Sequence, residues 1–284
     1  MKLNEKEHIL SVVATPIGNI NEASARVINT LNEAYVILCE DTRVTAKLLH
    51  LLNIFDYKKL ISFHNFNEES KINEALKWIT SHKTVLVSDA GYPTISDPGY
   101  GLIQACHENN IGIEVINGPS SVMHALVASG FCSTSFMFLG FLGKTSNQRK
   151  TRLNEIKNVN TTFVVFEAVH RIQKTLADIL EVLGDVVVFI GRELTKKNET
   201  HYIGRISSIP EIFEKGEFVI VIDYNNPVSV EQEELINEQN LIEQIQIYMH
   251  THQVKLKQAC KEVAKIINGS ASELYYLMVK KDVK

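Results

Sequence analysis

Cysteine is scarce and scattered in this 284-residue sequence, which limits the metal sites it can form. Cys39, Cys106, Cys132 and Cys260 form no C-x-x-C pair, and no cysteines and histidines cluster at zinc-ligand spacing. Structural zinc needs closely spaced ligand pairs, so we expect buried, reduced thiols and no metal ion.

Long apolar runs are also missing. No stretch approaches the roughly 20 apolar residues that span a bilayer, and the first ten residues, MKLNEKEHIL, hold no apolar signal-peptide core. A hydrophobic content of 45% is typical of a globular protein with an ample core. We therefore expect a cytoplasmic protein that makes no membrane contact.

No charge of one sign dominates, because the formal net charge is only −4. A negative overall field repels phosphate and does not by itself indicate a nucleic-acid-binding protein. One segment, GKTSNQRKTR at residues 143–152, is locally basic and contains Lys144, Arg149, Lys150 and Arg152 without an acid. Such a run is either a solvated helix face or a patch that contacts nucleic acid.

Three common site motifs are absent from the sequence. It contains no G-x-G-x-x-G dinucleotide fingerprint, no G-x-x-x-x-G-K-[ST] phosphate loop and no G-x-S-x-G nucleophile turn. The absences argue against a Rossmann dehydrogenase, a P-loop nucleotidase and a serine hydrolase of the α/β type.

Apolar runs rich in β-branched residues alternate with helical patterns along the chain. Continuous rather than alternating apolarity predicts strands that are covered on both faces, and strand–helix alternation predicts a mostly parallel, doubly wound sheet. The predicted strands are residues 9–15, 34–40, 59–63, 84–89, 112–117, 135–141, 161–168, 185–191 and 217–223. The predicted helices are about 42–52, 67–82, 97–108, 119–129, 147–157 and 170–183.

The segment SGFCSTS, at residues 129–135, is rich in small and polar residues and predicts a junction between two α/β domains with parallel or mixed sheets. We place the first domain at residues 1–130, the second at 131–226, and a linker with a helical tail at 227–284. After the linker, which is predicted to merge into a helix, two short helices are predicted, with Ser270 and Glu273 as a capping box for the second. They either bind a partner or pack on their own domain.

Polar and turn-forming residues follow the strands, where open parallel sheets bind their ligands. TPIGNI, EDTR, FHNFNEE, SDAGYP and NGPSS follow the first five strands in order, and EAVHR and GRELTKKNE follow two later ones. Asp97 and Pro98 are predicted to start a helix after the fourth loop, so that residues 96–99 fix the loop and do not bind a ligand.

Seven segments together resemble one family in their order and spacing. They are VVATPIGNI, CEDTR, SFHNFNE, VSDAGYPTISDPGY, NGPSSV, EAVHRI and RELTKKNE, within residues 9–225. The chain resembles the tetrapyrrole-methylase-like (class III) methyltransferases that use S-adenosylmethionine. Within that family it is similar to the bacterial members that methylate the ribose 2′-hydroxyl of a cytidine in small-subunit ribosomal RNA.

The resemblance implies a homodimer that binds S-adenosylmethionine between two α/β domains. The residues it implies as cofactor contacts are Pro16, Asp89, Tyr92, Ser120, Ser121 and Ala168. The chain departs from the family pattern at LGFLG, residues 139–143, where the family has EGFLP, and at three further positions. Val169 replaces the proline of Glu-Ser-Pro-His-Arg, and Tyr92 and Asn117 stand where the family often has threonine and proline.

Methylation of a ribose hydroxyl needs alignment of the reacting atoms and help with a proton. The loops offer His170, His64, Glu40 and Asp41 for this catalytic role, and the sequence does not choose among them. A loop hydrogen bond is the alternative role for His64, and pairing with Arg43 is the alternative for the two acids. The cations expected to hold RNA phosphates are Arg43, Arg149, Lys150, Arg152, Arg171, Arg192 and Lys196.

Two other functions are compatible with the same fold. One is a tetrapyrrole methylase that acts on a small molecule, and the other is a non-catalytic RNA-binding protein. The presence of all the loops argues against the second.

Overall fold

The computed structural model describes residues 7–64, 68–225, 230–266 and 269–281. The chain divides into two compact units, one up to Asn225 and one from Asn226 onward. No helix in the described ranges has both the length and the apolar character needed to cross a membrane.

The first sheet is formed by the five strands that the sequence predicts, all parallel and in the order β3-β2-β4-β1-β5. Every residue of β2 and β4 is buried, which explains their continuous apolarity. The strands are β1 (Ile9–Val13), β2 (Val36–Cys39), β3 (Lys59–Ser62), β4 (Thr84–Val87) and β5 (Gly112–Ile116).

Helices cover both faces of this sheet. Val27 and Leu31 of α1 and Leu49 of α2 pack on one face, and α3 and α4 pack on the other. These helices are α1 (Ala25–Glu33), α2 (Thr42–Leu51), α3 (Glu68–Ser81) and α4 (Tyr100–Glu108). The predicted doubly wound arrangement is therefore confirmed.

The second sheet is mixed, with the order β6-β7-β10-β8-β9. β6 and β7 run parallel, and the other neighbours are antiparallel. Its strands are β6 (Phe136–Phe141), β7 (Thr162–Ala168), β8 (Val187–Arg192), β9 (Thr200–Arg205) and β10 (Glu217–Asp223). β9 is not among the predicted strands, because this edge strand alternates half-buried and exposed residues and has no apolar run.

The helix α5 (Ser121–Ser129) follows the first sheet in the chain but packs on the second. Its Val122 and Leu126 belong to one core with Val164 and Phe189. The opposite face of the second sheet is covered by α6 (Ser146–Ile156) and α7 (Ile172–Leu183). The boundary near residue 130 stays a prediction, and the helix before it belongs by packing to the second sheet.

The second unit contains three described helices, α8 (Val230–His252), α9 (Leu256–Ile266) and α10 (Ala271–Lys281). They enclose a small core of their own, which includes Ile245, Cys260 and Leu274. The segment interpreted as a linker that merges into a helix continues as α8, and α9 and α10 correspond to the two short helices predicted after it. The Ser270 hydroxyl accepts a hydrogen bond from the Glu273 amide at 3.5 Å, as the first half of the predicted capping box requires.

Candidate cofactor cleft

The turn after β1 and the loop after β4 form one continuous wall. Thr15 and Gly91 exchange both backbone hydrogen bonds, at 2.9 and 3.0 Å. The Thr15 hydroxyl also donates to the Ser88 carbonyl, and the Ser88 hydroxyl donates to the Gly91 carbonyl. Gly91 has a φ of +78°, a backbone conformation that favours glycine. The SDAGYP loop is thereby fixed over the carboxyl edge of the first sheet.

The turn after β5 joins this wall through two of the residues that depart from the family pattern. The Tyr92 hydroxyl donates to the Asn117 side-chain oxygen at 3.4 Å and accepts the Gly118 amide at 3.3 Å. A Cβ at Gly118 would lie 2.8 Å from the Ala14 carbonyl oxygen, so only glycine fits there. Tyr92 and Asn117 therefore support each other.

The second sheet supplies the opposite wall, at the end of β7. Glu167 is buried there, and its carboxylate accepts hydrogen bonds from the Ala168 amide, the Arg171 guanidinium and the Thr175 hydroxyl. These contacts fix the EAVHR turn without the proline that the family usually has at Val169.

A cleft of about 440 Å³ lies between the two walls. This volume is within the range of small-molecule sites, about 300–1,000 Å³. The cleft is lined by Ile17, Asp89, Ala90, Gly91, Tyr92, Ile95, Ser96, Asp97, Ser120, Ser121, Val122, Phe141, Phe166, Glu167, Ala168, Val169, Leu194, Gly216, Glu217, Phe218 and Val219.

Five of the six predicted cofactor residues are among the lining residues: Asp89, Tyr92, Ser120, Ser121 and Ala168. Pro16, the sixth, is half-buried beside the lining residue Ile17. The hydroxyl of Ser120 also caps α5, where it accepts the Met123 amide at 3.4 Å. Tertiary folding thus brings together side chains from three separate loops and from the second sheet.

Asp97 lines the cleft and does not cap a helix, contrary to the prediction. The N-cap of α4 is Gly99, with a φ of +124°, and no side chain of its own loop caps it. The Glu68 carboxylate from α3 accepts the Gly99 and Leu102 amides instead, at 3.2 and 3.3 Å. Burial, aided by the charge of Glu40, raises the pKa of Asp97 to about 7.

The pKa values of the other acids behind this wall are shifted in different directions. Burial, followed by the charge of Asp89, raises the pKa of Glu40. Burial also raises the pKa of Asp89, although its carboxylate accepts the Asp41 amide at 3.1 Å. Hydrogen bonds from the side chain and backbone of Arg43 lower the pKa of Asp41 to about 2. The alternative of Asp41 pairing with Arg43 is therefore confirmed.

The four residues predicted for catalysis lie around the cleft, but none is among its described lining residues. Glu40 and Asp41 follow β2, and His64 follows β3, so all three lie near the edge that carries Asp89. His170 is exposed in a short 3₁₀ turn directly after the lining residue Val169.

The comparisons with known proteins agree with this geometry. Residues 10–210 match the tetrapyrrole (corrin/porphyrin) methylase family. A protein of Mycoplasma genitalium named ribosomal RNA small subunit methyltransferase I is 46% identical over 94% of this chain and 97% of its own. The Bacillus subtilis protein of that name is 38% identical over 80% of this chain and 78% of its own.

This chain belongs to the tetrapyrrole methylase family. It is a methyltransferase that uses S-adenosylmethionine. Solved structures share the fold of the methylase. Uroporphyrin-III C-methyl transferase from Thermus thermophilus, complexed with S-adenyl homocysteine, has a TM-score of 0.53 at 18% identity, covering 78% of this chain and 99% of that one. Diphthine synthase has a TM-score of 0.57 at 11% identity, covering 75% and 89%.

The cleft of the methylase fits the chemistry of this cofactor. Apolar surface from Phe141, Phe166 and Ile95 suits the adenine, and hydroxyls of Tyr92 and Ser121 suit the ribose and the amino-acid end. Carboxylates in the lining suit the positive sulfonium and ammonium groups.

Three of the cations predicted to hold RNA phosphates are largely buried and bind other groups of the protein. The prediction that they contact RNA is therefore wrong. Arg149 is only 2% exposed; its guanidinium pairs with buried Asp178 at 2.7 Å and donates to the Lys144 carbonyl. Arg192 is 6% exposed and donates to two backbone carbonyls. The side chain of Arg171 is 15% exposed and pairs with Glu167.

The other predicted cations each have an acidic partner on the chain. Arg43 is 88% exposed and pairs with Asp41, and Arg152 pairs with Glu155. Lys150 pairs with Glu181, and Lys196 bridges two glutamates, Glu193 and Glu217. Arg43, Lys150 and Arg152 thus lie in positions that a phosphate can reach after such exposed pairs exchange, because surface ion pairs are weak.

Proposed function

We propose that this methylase transfers the methyl group of S-adenosylmethionine to the ribose 2′-hydroxyl of a cytidine in small-subunit ribosomal RNA. The high identity to ribosomal RNA small subunit methyltransferases I over nearly the whole chain carries the proposal. The cleft supports it because it combines apolar surface, hydroxyls and carboxylates on two facing walls.

The proposed cofactor contacts are the residues of the first wall, together with Ala168 of the second. Asp89 faces the cationic part of the cofactor, and Tyr92 is oriented for it by Asn117. Ser120 and Ser121 present hydroxyls at the start of α5, where the positive end of the helix suits the cofactor carboxylate. Bound there, the cofactor supplies an electrophilic methyl carbon.

Asp97 is our preferred acceptor for the hydroxyl proton, ahead of the four residues predicted from sequence. It lines the cleft, and a pKa of about 7 suits a base that works near neutral pH. Asp41 is a poor base because Arg43 lowers its pKa to about 2. His170 stays a candidate because it lies at the end of the second wall.

We place the RNA at the exposed cations Arg43, Lys144 and Arg152 and the half-buried Lys150, and infer a cytoplasmic homodimer. The exposed face of α5 carries Met123 and Val127, 48% and 74% exposed, which suits burial against a second copy. Sedimentation at several protein concentrations tests the dimer: a concentration-independent monomer contradicts it.

Two experiments test the function. Titration with S-adenosylmethionine should show one site, weakened at least tenfold in Asp89→Asn and unchanged in Asp56→Asn, which removes an exposed carboxylate. Absence of binding would support the non-catalytic RNA-binding alternative. Labelling of purified small subunits or their RNA, followed by nuclease digestion and mass mapping, should then find one ribose-methylated cytidine.

Each alternative gives a different result in the second experiment. Methylation of a base instead of a ribose contradicts the 2′-hydroxyl assignment. Activity on a tetrapyrrole precursor, with none on RNA, would favour the small-molecule methylase. Asp97→Asn should lower the turnover rate at least about a hundredfold while cofactor affinity changes little, because general bases contribute about 10²–10⁴. Full activity of this variant excludes Asp97 as the base.

A further inference from the structure

Three side chains with metal-binding atoms meet outside the cleft. His124 lies on α5, Glu199 directly precedes β9, and His201 is the second residue of β9. Their donor atoms all lie within 4.8 Å of one another. The two histidines lie far apart in the sequence, so ligand spacing gave no sign of the cluster.

The Glu199 carboxylate is the centre of the cluster. Its Oε1 lies 3.4 Å from Nε2 of His124 and 2.7 Å from Nε2 of His201. Its Oε2 accepts the Thr195 amide at 2.6 Å, which leaves Oε1 directed at the two imidazoles. A metal site typically needs such a second contact to orient its ligand.

The neighbouring structure also holds both histidines in place. The His201 ring packs edge-on against Phe189, with the ring centroids 4.9 Å apart. His124 is held through α5, whose Val122 and Leu126 are packed in the core of the second sheet. The side chains of the three ligands are 28–41% exposed, so an ion can enter from solvent.

One ligand separation fits a tetrahedral ion of zinc size, and a second needs a small adjustment. Bonds of about 2.0–2.1 Å at tetrahedral angles separate neighbouring ligand atoms by about 3.4 Å. The His124–Glu199 separation of 3.4 Å equals this value, and the His201–Glu199 pair at 2.7 Å needs to open by about 0.7 Å, a side-chain rotation.

We propose that His124, Glu199 and His201 form a binding site for a zinc-class transition-metal ion, with the fourth position open to water. Two imidazoles and one carboxylate select such ions over Mg²⁺ and Ca²⁺, which prefer oxygen ligands. The site is separate from methyl transfer, and the proposal does not depend on the RNA substrate.

A bound ion would connect α5 to the turn that precedes β9. The Thr195 hydroxyl in that turn accepts the Asn19 amide from the TPIGN turn at 3.1 Å. The ion would therefore stabilise the turn that makes this contact between the two sheets. We expect the unfolding temperature to rise with ZnCl₂ and to fall back when a chelator is added.

The test is calorimetric titration of the full-length, chelator-treated protein with ZnCl₂. We expect one site in the wild type, at least tenfold weaker binding in His124→Ala and His201→Ala, and no comparable response to MgCl₂. His107→Ala is the matched control, because His107 is an exposed histidine on α4, away from the cluster.

Equal zinc affinity in the wild type and in both ligand variants would overturn the proposal, as would no zinc binding at 100 μM. Glu199→Gln provides a second measurement that preserves shape and the acceptor for the Thr195 amide while it removes the ligand charge. Its zinc affinity should also be at least tenfold weaker, and wild-type zinc affinity in this variant would equally overturn the proposal. Circular dichroism of each metal-free variant separates loss of a ligand from loss of folding.

Discussion

Replacement of Asp97 by asparagine should stabilise the protein at pH 8 and have little effect near pH 4. In the folded protein burial raises the pKa of Asp97 from its ordinary 3.8 to about 7. Between these two values the folded state keeps a proton that the unfolded state has lost, so stability falls as the pH rises. Above pH 7 both states are ionised and the loss is complete. Asparagine has no such proton and avoids the loss.

The size of the effect follows from the shift. About three pH units at about 1.36 kcal/mol each give an upper limit of about 4 kcal/mol. Asp97 lines an open cleft and is only partly buried, so solvent screening reduces this limit; we expect about 1–2 kcal/mol. The same substitution should abolish most activity, since functional carboxyls are often held at the cost of stability.

The assay is urea unfolding of the cofactor-free wild type and Asp97→Asn at half-unit steps from pH 4 to pH 8.5. The difference in free energy of unfolding should grow mainly between pH 4 and pH 7 and then stay constant. A difference that does not change with pH would refute the reasoning, and so would a variant less stable than the wild type at pH 8. Asp56→Asn, in an exposed loop, is the control and should show no growing difference.

Three further predictions concern packing and reactivity. Arg149→Met should lower the free energy of unfolding by up to about 3–5 kcal/mol, because it leaves buried Asp178 with only the more distant Lys150, at 3.9 Å, as a cation. Arg149→Met/Asp178→Leu should recover part of this loss in urea unfolding. Gly18→Ala should lower the free energy of unfolding by about 1–3 kcal/mol and weaken cofactor binding in calorimetry, because a Cβ there would lie 2.5 Å from Cγ of Lys196 in the turn before β9. A thiol reagent should modify only Cys132 rapidly in the native protein, because the other three thiols are buried, and a count of modified cysteines by mass spectrometry checks this. Wild-type stability of Arg149→Met, unchanged behaviour of Gly18→Ala, or rapid labelling of a second cysteine would each contradict the corresponding argument.

Local sequence predicted the elements whose signal is apolar and continuous. The buried runs of β2 and β4 specified strands of a parallel sheet, and the loops after them were correctly expected at one edge. Edge strand β9 was not predicted, because half of its residues are exposed and it has no continuous apolar run. The sequence also gave no sign that α5 would pack on the second sheet and not on the first.

Side-chain roles that depend on distant partners were the ones predicted wrongly. Asp97 precedes a proline, as a helix-capping residue often does. The Glu68 carboxylate of another helix accepts the α4 amides instead, and Asp97 lines the cleft. Arg149 lies in a basic run, but its position on α6 turns it inward to Asp178 on α7. Neither partner lies within the local pattern on which the prediction depended.

The sequence by itself determined the two α/β domains and the loops that form the cleft, because hydrophobic periodicity and turn chemistry are local properties of the chain. It indicated the family through the resemblance of seven segments in their order and spacing. Only the tertiary structure decided which charged groups face the cleft, which are paired inside the protein, and which histidines meet at Glu199. These outcomes depend on burial and on contacts between distant segments, and such contacts set both the pKa of a carboxyl and the direction in which a side chain points.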